Sequence, residues 1–254
     1  MSVRTPIFLL VSGLLIACGG GGADESTTDA RVPTADQLRA QAMLTNCGAD
    51  AVDALLDTLD LFRIVPGATD LPITLGTIEG DAIPFTADID GDLQDDLSGA
   101  ITFTDDTGVP FLPLTQEQID SGADGFLGLL TALPNGTQMR ISLLPATDIG
   151  LANADLAFNF LGGLPTTIDG VVNYLADTCA VTLILNRVSP LGLLGDVPSL
   201  PAALTIQDGA DFLSGTLTFN GTNIARAEVA LNGGETMTLS LDLTTGDATL
   251  PGDR

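Results

Sequence analysis

The feature that most constrains the fold is a strict alternation of apolar and polar residues through much of the chain after Leu71. The clearest case is residues 236–243 (TMTLSLDL), in which every second side chain is apolar, and residues 138–143 (QMRISL) repeat the pattern. Strands that alternate in this way bury one face and expose the other to water, which is typical of antiparallel pairing. We therefore predict that the chain from Leu71 onward forms antiparallel strands.

Dipeptides that favour tight turns fall between these alternating segments. They are Asn135-Gly136, Asp169-Gly170, Asp208-Gly209, Asn220-Gly221 and Asn232-Gly233. Asn-Gly and Asp-Gly suit the left-handed backbone of short hairpin turns. The predicted fold class is mainly β (α+β), with one large antiparallel curved sheet or half-barrel and N-terminal helices packed on it. A β-sandwich is the alternative that the pattern leaves open.

The segment before the strands has a helical period instead. Thr34 and Gln37 have the spacing of a capping box, and the short helix that they begin is expected to end at Cys47-Gly48. A second helix is predicted over residues 50–64, where apolar residues recur at helical spacing opposite a row of aspartates. We therefore predict an N-terminal helical pair within residues 34–65 that packs on the sheet.

The strands also contain a weak internal repeat. Residues 96–103 (DLSGAITF) are similar to residues 212–219 (FLSGTLTF), and residues 136–143 (GTQMRISL) are similar to residues 234–241 (GETMTLSL). A looser third copy covers residues 168–185. The similarity predicts a sheet built from related hairpin units.

Two apolar segments depart from strand character. In residues 115–133, Thr115 and Gln118 have the spacing to cap a short helix, and the apolar run that follows is predicted to cover the sheet or to form the wall of an apolar pocket. Residues 191–201 (LGLLGDVPSLP) are a second apolar segment, rich in glycine and proline. The predicted lining residues of the pocket are Phe126, Leu127, Leu130, Leu193 and Leu194.

The N-terminus has the organisation of a secretory signal. Arg4 precedes an apolar run that is as long as a signal-peptide core and too short to span a bilayer. The run ends in Leu15-Ile16-Ala17-Cys18, which resembles the lipobox of bacterial lipoproteins. The resemblance implies cleavage before Cys18, a diacylglycerol group on the Cys18 sulfur and acylation of the new amine. Several acyl chains would hold the protein on a membrane firmly, whereas one chain binds only marginally.

The resemblance divides the chain into three parts. They are a signal peptide over residues 1–17, a flexible tether over residues 18–33 and a single β-rich domain over residues 34–254. The tether is small and polar, without an apolar period. Gly19 stands where the inner-membrane retention signal of enteric lipoproteins has aspartate, so the resemblance favours the outer membrane. The predicted location is the bacterial cell envelope, with the domain facing the periplasm or the cell surface.

Charge and composition narrow the range of functions. The chain has 33 acidic residues, eight arginines and neither lysine nor histidine, with a formal net charge of −25. Such a field repels nucleic acid, which we therefore exclude as a partner. The lack of histidine removes Ser-His and Cys-His nucleophile pairs as well as histidine zinc sites. We expect that the protein is not an enzyme.

The cysteines fit the same compartment. Once Cys18 carries lipid, Cys47 and Cys179 are an even pair in an oxidising envelope and are predicted to form a disulfide. Two buried free thiols are the alternative. The bridge would close a loop of about 130 residues, worth at most ~5 kcal/mol in the chain-entropy model. It would tie the N-terminal helices to the middle of the sheet.

One local motif carries metal chemistry. Residues 88–97 (DIDGDLQDDL) place carboxylates at alternate positions of a tight turn, an arrangement that can wrap a cation requiring six to eight oxygen ligands. The run resembles the calcium loops of FG-GAP-type extracellular repeats, although Leu93 stands where those loops usually carry glycine. By that resemblance the calcium ligands would be Asp88, Asp90, Asp92 and Asp96. An acidic, solvated hairpin turn is the alternative.

Three functions remain open from the sequence. The first is a membrane-anchored envelope lipoprotein with a structural or protein-binding role, stabilised by Ca²⁺, whose partner is another envelope protein. The second is a carrier or sensor of an apolar or lipid ligand held in a half-barrel cavity. The third and least supported is a carboxylate-dependent hydrolase, for which acids are abundant although no pair stands out.

Overall fold

The alternating segments form strands, and each strand pairs with its neighbours in the chain. The computed structural model describes residues 32–52, 55, 73–88, 94–95, 97–120, 132–145, 151–175, 178–188, 201–219 and 222–251. Within them twelve strands make one antiparallel sheet in chain order. The predicted mainly β fold is therefore confirmed. The β-sandwich alternative is wrong, because the described strands all belong to a single sheet.

The strand bounds follow the alternation. They are β1 (Ile73–Leu75), β2 (Ala82–Ala87), β3 (Leu97–Thr104), β4 (Gln138–Pro145), β5 (Leu151–Leu161), β6 (Leu164–Leu175), β7 (Cys179–Val188), β8 (Ala202–Asp208), β9 (Asp211–Thr218), β10 (Ile224–Leu231), β11 (Thr236–Asp242) and β12 (Ala248–Thr249). The sheet is curled but open, since among the described residues β1 pairs only with β2 and β12 only with β11. Residues 34–254 make up one compact unit.

The inner face of the sheet carries the core. In β7, for example, Cys179, Val181, Leu183 and Leu185 are buried, whereas Ala180 and Ile184 between them are exposed. The inward side chains of β2 to β12 join one apolar core. Removing this apolar surface from water is the main term that stabilises the fold, at about 25 cal/mol per Å².

The helical segment lies against this core. Helix α1 (Ala35–Met43) begins at the predicted Thr34, whose hydroxyl accepts a hydrogen bond from the Gln37 amide while the Gln37 side chain accepts one from the Thr34 amide. The predicted break at Cys47-Gly48 is wrong, because the chain continues through a π-helical turn, Leu44–Gly48, into further helix. The helical residues that this run buries are Ala40, Met43, Leu44, Cys47, Gly48, Ala49, Ala51, Val52 and Leu55.

Gly48 marks a close approach between helix and sheet rather than the end of a helix. A Cβ atom on Gly48 would lie 2.7 Å from Leu44 Cδ1 and 3.2 Å from Ile206 Cδ1 on β8. Glycine in a helix interior costs roughly 1 kcal/mol relative to alanine. Because glycine has no side chain, the helix can pack closely against β8 at this position. Gly48 therefore lies inside the helical run and does not end it. Residues 53–54 and 56–64 of the predicted second helix lie outside the described residues.

Three inward-facing glycines mark points where neighbouring strands approach closely. A Cβ atom at Gly99, Gly170 or Gly215 would lie 2.3, 2.1 or 2.0 Å from a carbonyl oxygen of the adjacent strand. All three glycines are second in the same series of inward-facing residues, which begins in β3, in β6 and in β9. The series is an aliphatic residue, glycine, an aliphatic residue and an aromatic residue. Every third strand of this part of the sheet therefore has a point where the neighbouring backbone crosses very close, as interior strand glycines allow.

The strand order corrects the predicted hairpin units. Residues 96–103 and 136–143 correspond to the adjacent strands β3 and β4, but residues 212–219 and 234–241 correspond to β9 and β11, with β10 between them. The second unit is therefore not a hairpin. The glycine pattern in β3, β6 and β9 is the part of the similarity that the fold shares.

The connection between β3 and β4 supplies the short helix that the sequence predicts. Helix α2 (Gln116–Asp120) begins at Thr115, whose amide donates to Gln118 Oε1 at 2.9 Å. Leu114, Ile119 and Leu133 are buried in the core, so the described parts of this connection do cover the sheet. Residues 121–131 lie outside the described residues.

Candidate functional site

The predicted lipid and metal residues fall mostly outside the part of the chain that the structure describes. Cys18 lies outside it, and of the four predicted calcium ligands only Asp88 lies within it. Asp90, Asp92 and Asp96 are in the part that is not described. Lipidation and calcium binding therefore remain predictions.

The predicted pocket residues also lie outside the described residues. They are Phe126, Leu127, Leu130, Leu193 and Leu194. The inner face can be followed through the described strands, where the large side chains of Phe85, Phe103, Phe158 and Phe160 are at most 2% exposed. At these positions the inner face is covered by the protein's own side chains.

The predicted disulfide between Cys47 and Cys179 is confirmed. It joins the π-helical turn of the N-terminal segment to the start of β7, with the two α carbons 6.3 Å apart and 132 residues between them in sequence. Both cysteines are buried. Because β7 is a middle strand, the bridge ties the helical segment to the centre of the sheet as predicted.

A charged cluster lies beside this bridge. Arg39 on α1 donates from Nη2 to Asp208 Oδ2 and from Nε to Asp211 Oδ2, each at 2.8 Å, so its guanidinium spans both ends of the turn between β8 and β9. Asn232 Nδ2 donates to Asp211 Oδ1 at 3.0 Å. We call Arg39, Asp208, Asp211 and Asn232 the Arg39 cluster. It joins the helix to two neighbouring turns of the sheet.

Asn232 holds its own turn in an uncommon backbone conformation. Its φ is +51°, in the left-handed region that asparagine tolerates better than most residues. Its side-chain oxygen accepts a hydrogen bond from the Phe212 amide at 2.8 Å. The Asn232-Gly233 turn that the sequence predicts is therefore present, and its side chain also fixes the position of Asp211.

The pKa values in the Arg39 cluster follow these contacts. Hydrogen bonds from Asn232 and then Arg39 stabilise the charged carboxylate and lower the pKa of Asp211 below its usual value of 3.8. The hydrogen bond to Asp211 raises the pKa of Arg39 above its usual range. Arg39 and Asp211 thus both carry charge at neutral and mildly acidic pH. Its groups are open to solvent, so screening limits what each ion pair contributes.

A second polar network crosses the outer face from β4 to β7. Asn159 accepts a hydrogen bond from Gln138 and donates to Thr167 at 2.9 Å and to Asp169 at 3.0 Å. The amide of Arg187 donates to Asp169 Oδ1 at 2.8 Å. The φ of Arg187 is +54°, and the pairing of β6 with β7 shifts register beside it, as at a β-bulge.

This network corrects one turn prediction. Asp169-Gly170 lies inside β6 rather than in a turn, because the glycine serves the close approach to Asp155 in β5 while the aspartate secures the bulge of β7. Asn135-Gly136 and Asp208-Gly209 do form turns. Asn220 and Gly221 lie outside the described residues.

Both networks act as cross-links between elements. Among the described side chains, every buried nitrogen or oxygen atom has a hydrogen-bond partner. In the same part of the chain no group of three or more Cys, Asp or Glu residues is arranged to hold a metal ion. In the described part of the chain, these two networks pair opposite charges and hold turns in position, and they connect the helix, the turns and the outer face of the sheet.

The sequence offered weak signals for the residues that matter here. Arg39 is one of eight arginines in a chain with 33 acidic residues, and Asp208 and Asp211 flank a predicted turn. These features favour an ion pair at Arg39 but do not identify its partner. The outer-face network had no signal of its own, since Asp169-Gly170 has the composition of a turn.

The described helices include none that is long and apolar enough to cross a bilayer. Comparison of the chain with protein-family models, with curated proteins and with solved structures finds no match.

Proposed function

We propose that this chain is a lipoprotein of the bacterial cell envelope, held on the outer membrane through lipid on Cys18, with a structural or protein-binding role. The observation that carries the proposal is the segment Leu15-Ile16-Ala17-Cys18 at the end of a short apolar run. The domain after residue 33 would stand away from the membrane on a polar tether, where an envelope protein could contact it.

The disulfide supports the proposed compartment. Cys47 and Cys179 are bonded, and bonds of this kind persist in oxidising compartments such as the periplasm and the cell surface. The two cysteines that the lipid anchor would leave are both consumed by the bridge, so the mature chain would carry no thiol.

The buried aromatic residues on the described part of the inner face favour a structural or binding role over transport of an apolar ligand. The aromatic side chains of β2, β3 and β5 are buried against the protein's own residues. A carrier needs a cavity of roughly 300 Å³ or more for a ligand.

Calcium at Asp88, Asp90, Asp92 and Asp96 belongs to the same proposal, as an element that stabilises the loop between β2 and β3.

Fatty-acid labelling tests the anchor. The full chain is produced in a Gram-negative host that is fed an alkyne-tagged palmitate, and the purified protein is examined for the tag. Cys18→Ser should abolish labelling, whereas the double variant Cys47→Ala/Cys179→Ala is the matched control and should keep it. A wild-type chain without label, or label that persists in Cys18→Ser, would refute the proposal.

A further inference from the structure

The last strand of the sheet has an edge that one face of helix α1 covers. Strand β12 is two residues long and pairs with β11 only through Ser240–Thr249 and Leu241–Ala248. The Asp242 amide donates to the Asp247 carbonyl at 2.9 Å, which makes Leu241–Ala248 the pair that is not hydrogen-bonded between the strands. The N–H and C=O of Ala248 therefore point away from β11.

Both of these edge groups are bonded to the helix. The Ala248 amide donates to Thr45 Oγ1 at 2.9 Å, and the Ala248 carbonyl accepts from Gln41 Nε2 at 2.7 Å. Gln41 and Thr45 are four residues apart and so lie on one side of the helix. One helical face thus presents an acceptor and a donor to the same residue, as a paired strand would.

Edge strands with free N–H and C=O groups are templates for another chain, and proteins protect them with short strands or with a covering element. We propose that α1 together with the π-helical turn after it is a guard over the β12 edge: this helical segment occupies the place of a thirteenth strand and keeps a second copy of this chain from pairing there. The partner that the guard excludes is the β12 edge of another copy, because antiparallel pairing of two identical edges makes a closed two-fold contact.

The rest of the segment explains how the guard stays in position. Arg39 pairs with Asp208 and Asp211 before the contact, and Cys47 is bonded to Cys179 after it. The stretch that covers the edge is therefore fixed at both ends, and the edge is uncovered only when its two hydrogen bonds and one of these attachments are lost together.

The test uses near-isosteric changes in the full chain. Gln41→Glu places a carboxylate against the Ala248 carbonyl oxygen, and Thr45→Val removes the acceptor of the Ala248 amide. Asn46→Asp, which adds the same charge to an exposed position of the same helical segment, is the matched control. Light scattering after size exclusion measures mass over a hundredfold range of concentration in reductant, which frees the Cys47 end of the helix. Hydrogen exchange follows the Ala248 amide under the same conditions.

We expect wild type and Asn46→Asp to remain monomers with a protected Ala248 amide. Gln41→Glu/Thr45→Val should reach twice the monomer mass as concentration rises. Its Ala248 amide should exchange at least tenfold faster when dilute and regain protection in the dimer. Where the double variant does not fold, Thr45→Val alone is used with the same readouts. A variant that loses Ala248 protection and stays monomeric throughout, or one that keeps the protection, would overturn the proposal.

Discussion

Cys47 and Cys179 are bonded across 132 residues of sequence, so that a turn of the N-terminal helical segment and the first residue of β7 form one covalent unit. The bridge encloses the first six strands of the sheet in its loop. This arrangement places the helical segment against the middle of the sheet independently of the polar contacts around it.

The first prediction concerns that bridge. In the chain-entropy model a loop of this length is worth about 5 kcal/mol, and measured losses on removal of a native disulfide are about 2–5 kcal/mol. We expect Cys47→Ala/Cys179→Ala to lower the free energy of unfolding by that amount in urea denaturation. Alanine is preferred to serine because both positions are buried and a hydroxyl would add a separate cost.

Wild-type chain that is refolded in reductant is the control, since it loses the bridge without any substitution. Equal stability of the oxidised and reduced chains would show that the bridge does not stabilise the fold.

The second prediction concerns the inward-facing glycines at which neighbouring strands approach closely. Gly99→Ala and Gly215→Ala would each place a Cβ atom 2.3 Å or less from a carbonyl oxygen of the neighbouring strand. Overpacking of this kind typically costs about 1–3 kcal/mol or more, and here backbone rather than a flexible side chain must move. We expect both variants to lose about 3 kcal/mol in thermal or urea unfolding.

Gly162→Ala is the matched control, because Gly162 has a φ of +62° and no atom within 4 Å of the added Cβ position. Its cost should be about 1 kcal/mol, from the left-handed backbone alone. If Gly99→Ala were no more costly than Gly162→Ala, the close approach at Gly99 would not require glycine.

The third prediction is a pH dependence in the Arg39 cluster. The pKa of Asp211 is lowered in the folded protein, so the folded state binds fewer protons than the unfolded state near that pKa. The stabilisation is therefore fully present above the usual value of 3.8 and is lost as pH falls through the lowered pKa. We expect the stability difference between wild type and Asp211→Asn to shrink over this acidic range.

Unfolding midpoints measured from pH 2 to pH 7 give this comparison, with Glu235→Gln as a charge-matched control on an exposed turn. A difference between wild type and Asp211→Asn that stays constant across the range would contradict the assignment of the lowered pKa.

The fourth prediction concerns the acidic loop. If residues 88–96 hold Ca²⁺, removal of the ion by a chelator lowers the melting temperature, and readdition restores it, because a ligand that binds only the folded state stabilises it by mass action. Native mass spectrometry of the untreated chain should show the ion. Asp90→Asn/Asp92→Asn should abolish the response, whereas Asp105→Asn/Asp106→Asn in another acidic turn should leave it intact. A melting temperature that does not change on chelation would show that calcium does not stabilise the fold.

Local patterns were sufficient to predict the strands, their antiparallel pairing and the caps at Thr34 and Thr115, because side-chain period and capping bonds depend on residues close in sequence. The disulfide was predictable because only two cysteines remain after the lipobox. The continuous helix through Gly48 was not, since the reason for that glycine is Ile206, more than 150 residues away.

The same limit applies to the clusters. The hydrogen bonds that Arg39 donates to Asp208 and that the Ala248 amide donates to Thr45 join residues 169 and 203 positions apart. Neither end has a composition that indicates its partner. Asp169-Gly170 was misassigned as a turn because the two residues that favour turns also suit a bulge and a crowded strand contact.

The most direct test of the central claim is the mass of the N-terminal peptide of the full chain purified from bacterial membranes. We predict that the mature protein begins at Cys18 and that this residue carries a diacylglycerol group and an acylated amine. A mature chain that begins at another residue, or a Cys18 of unmodified mass, would contradict it.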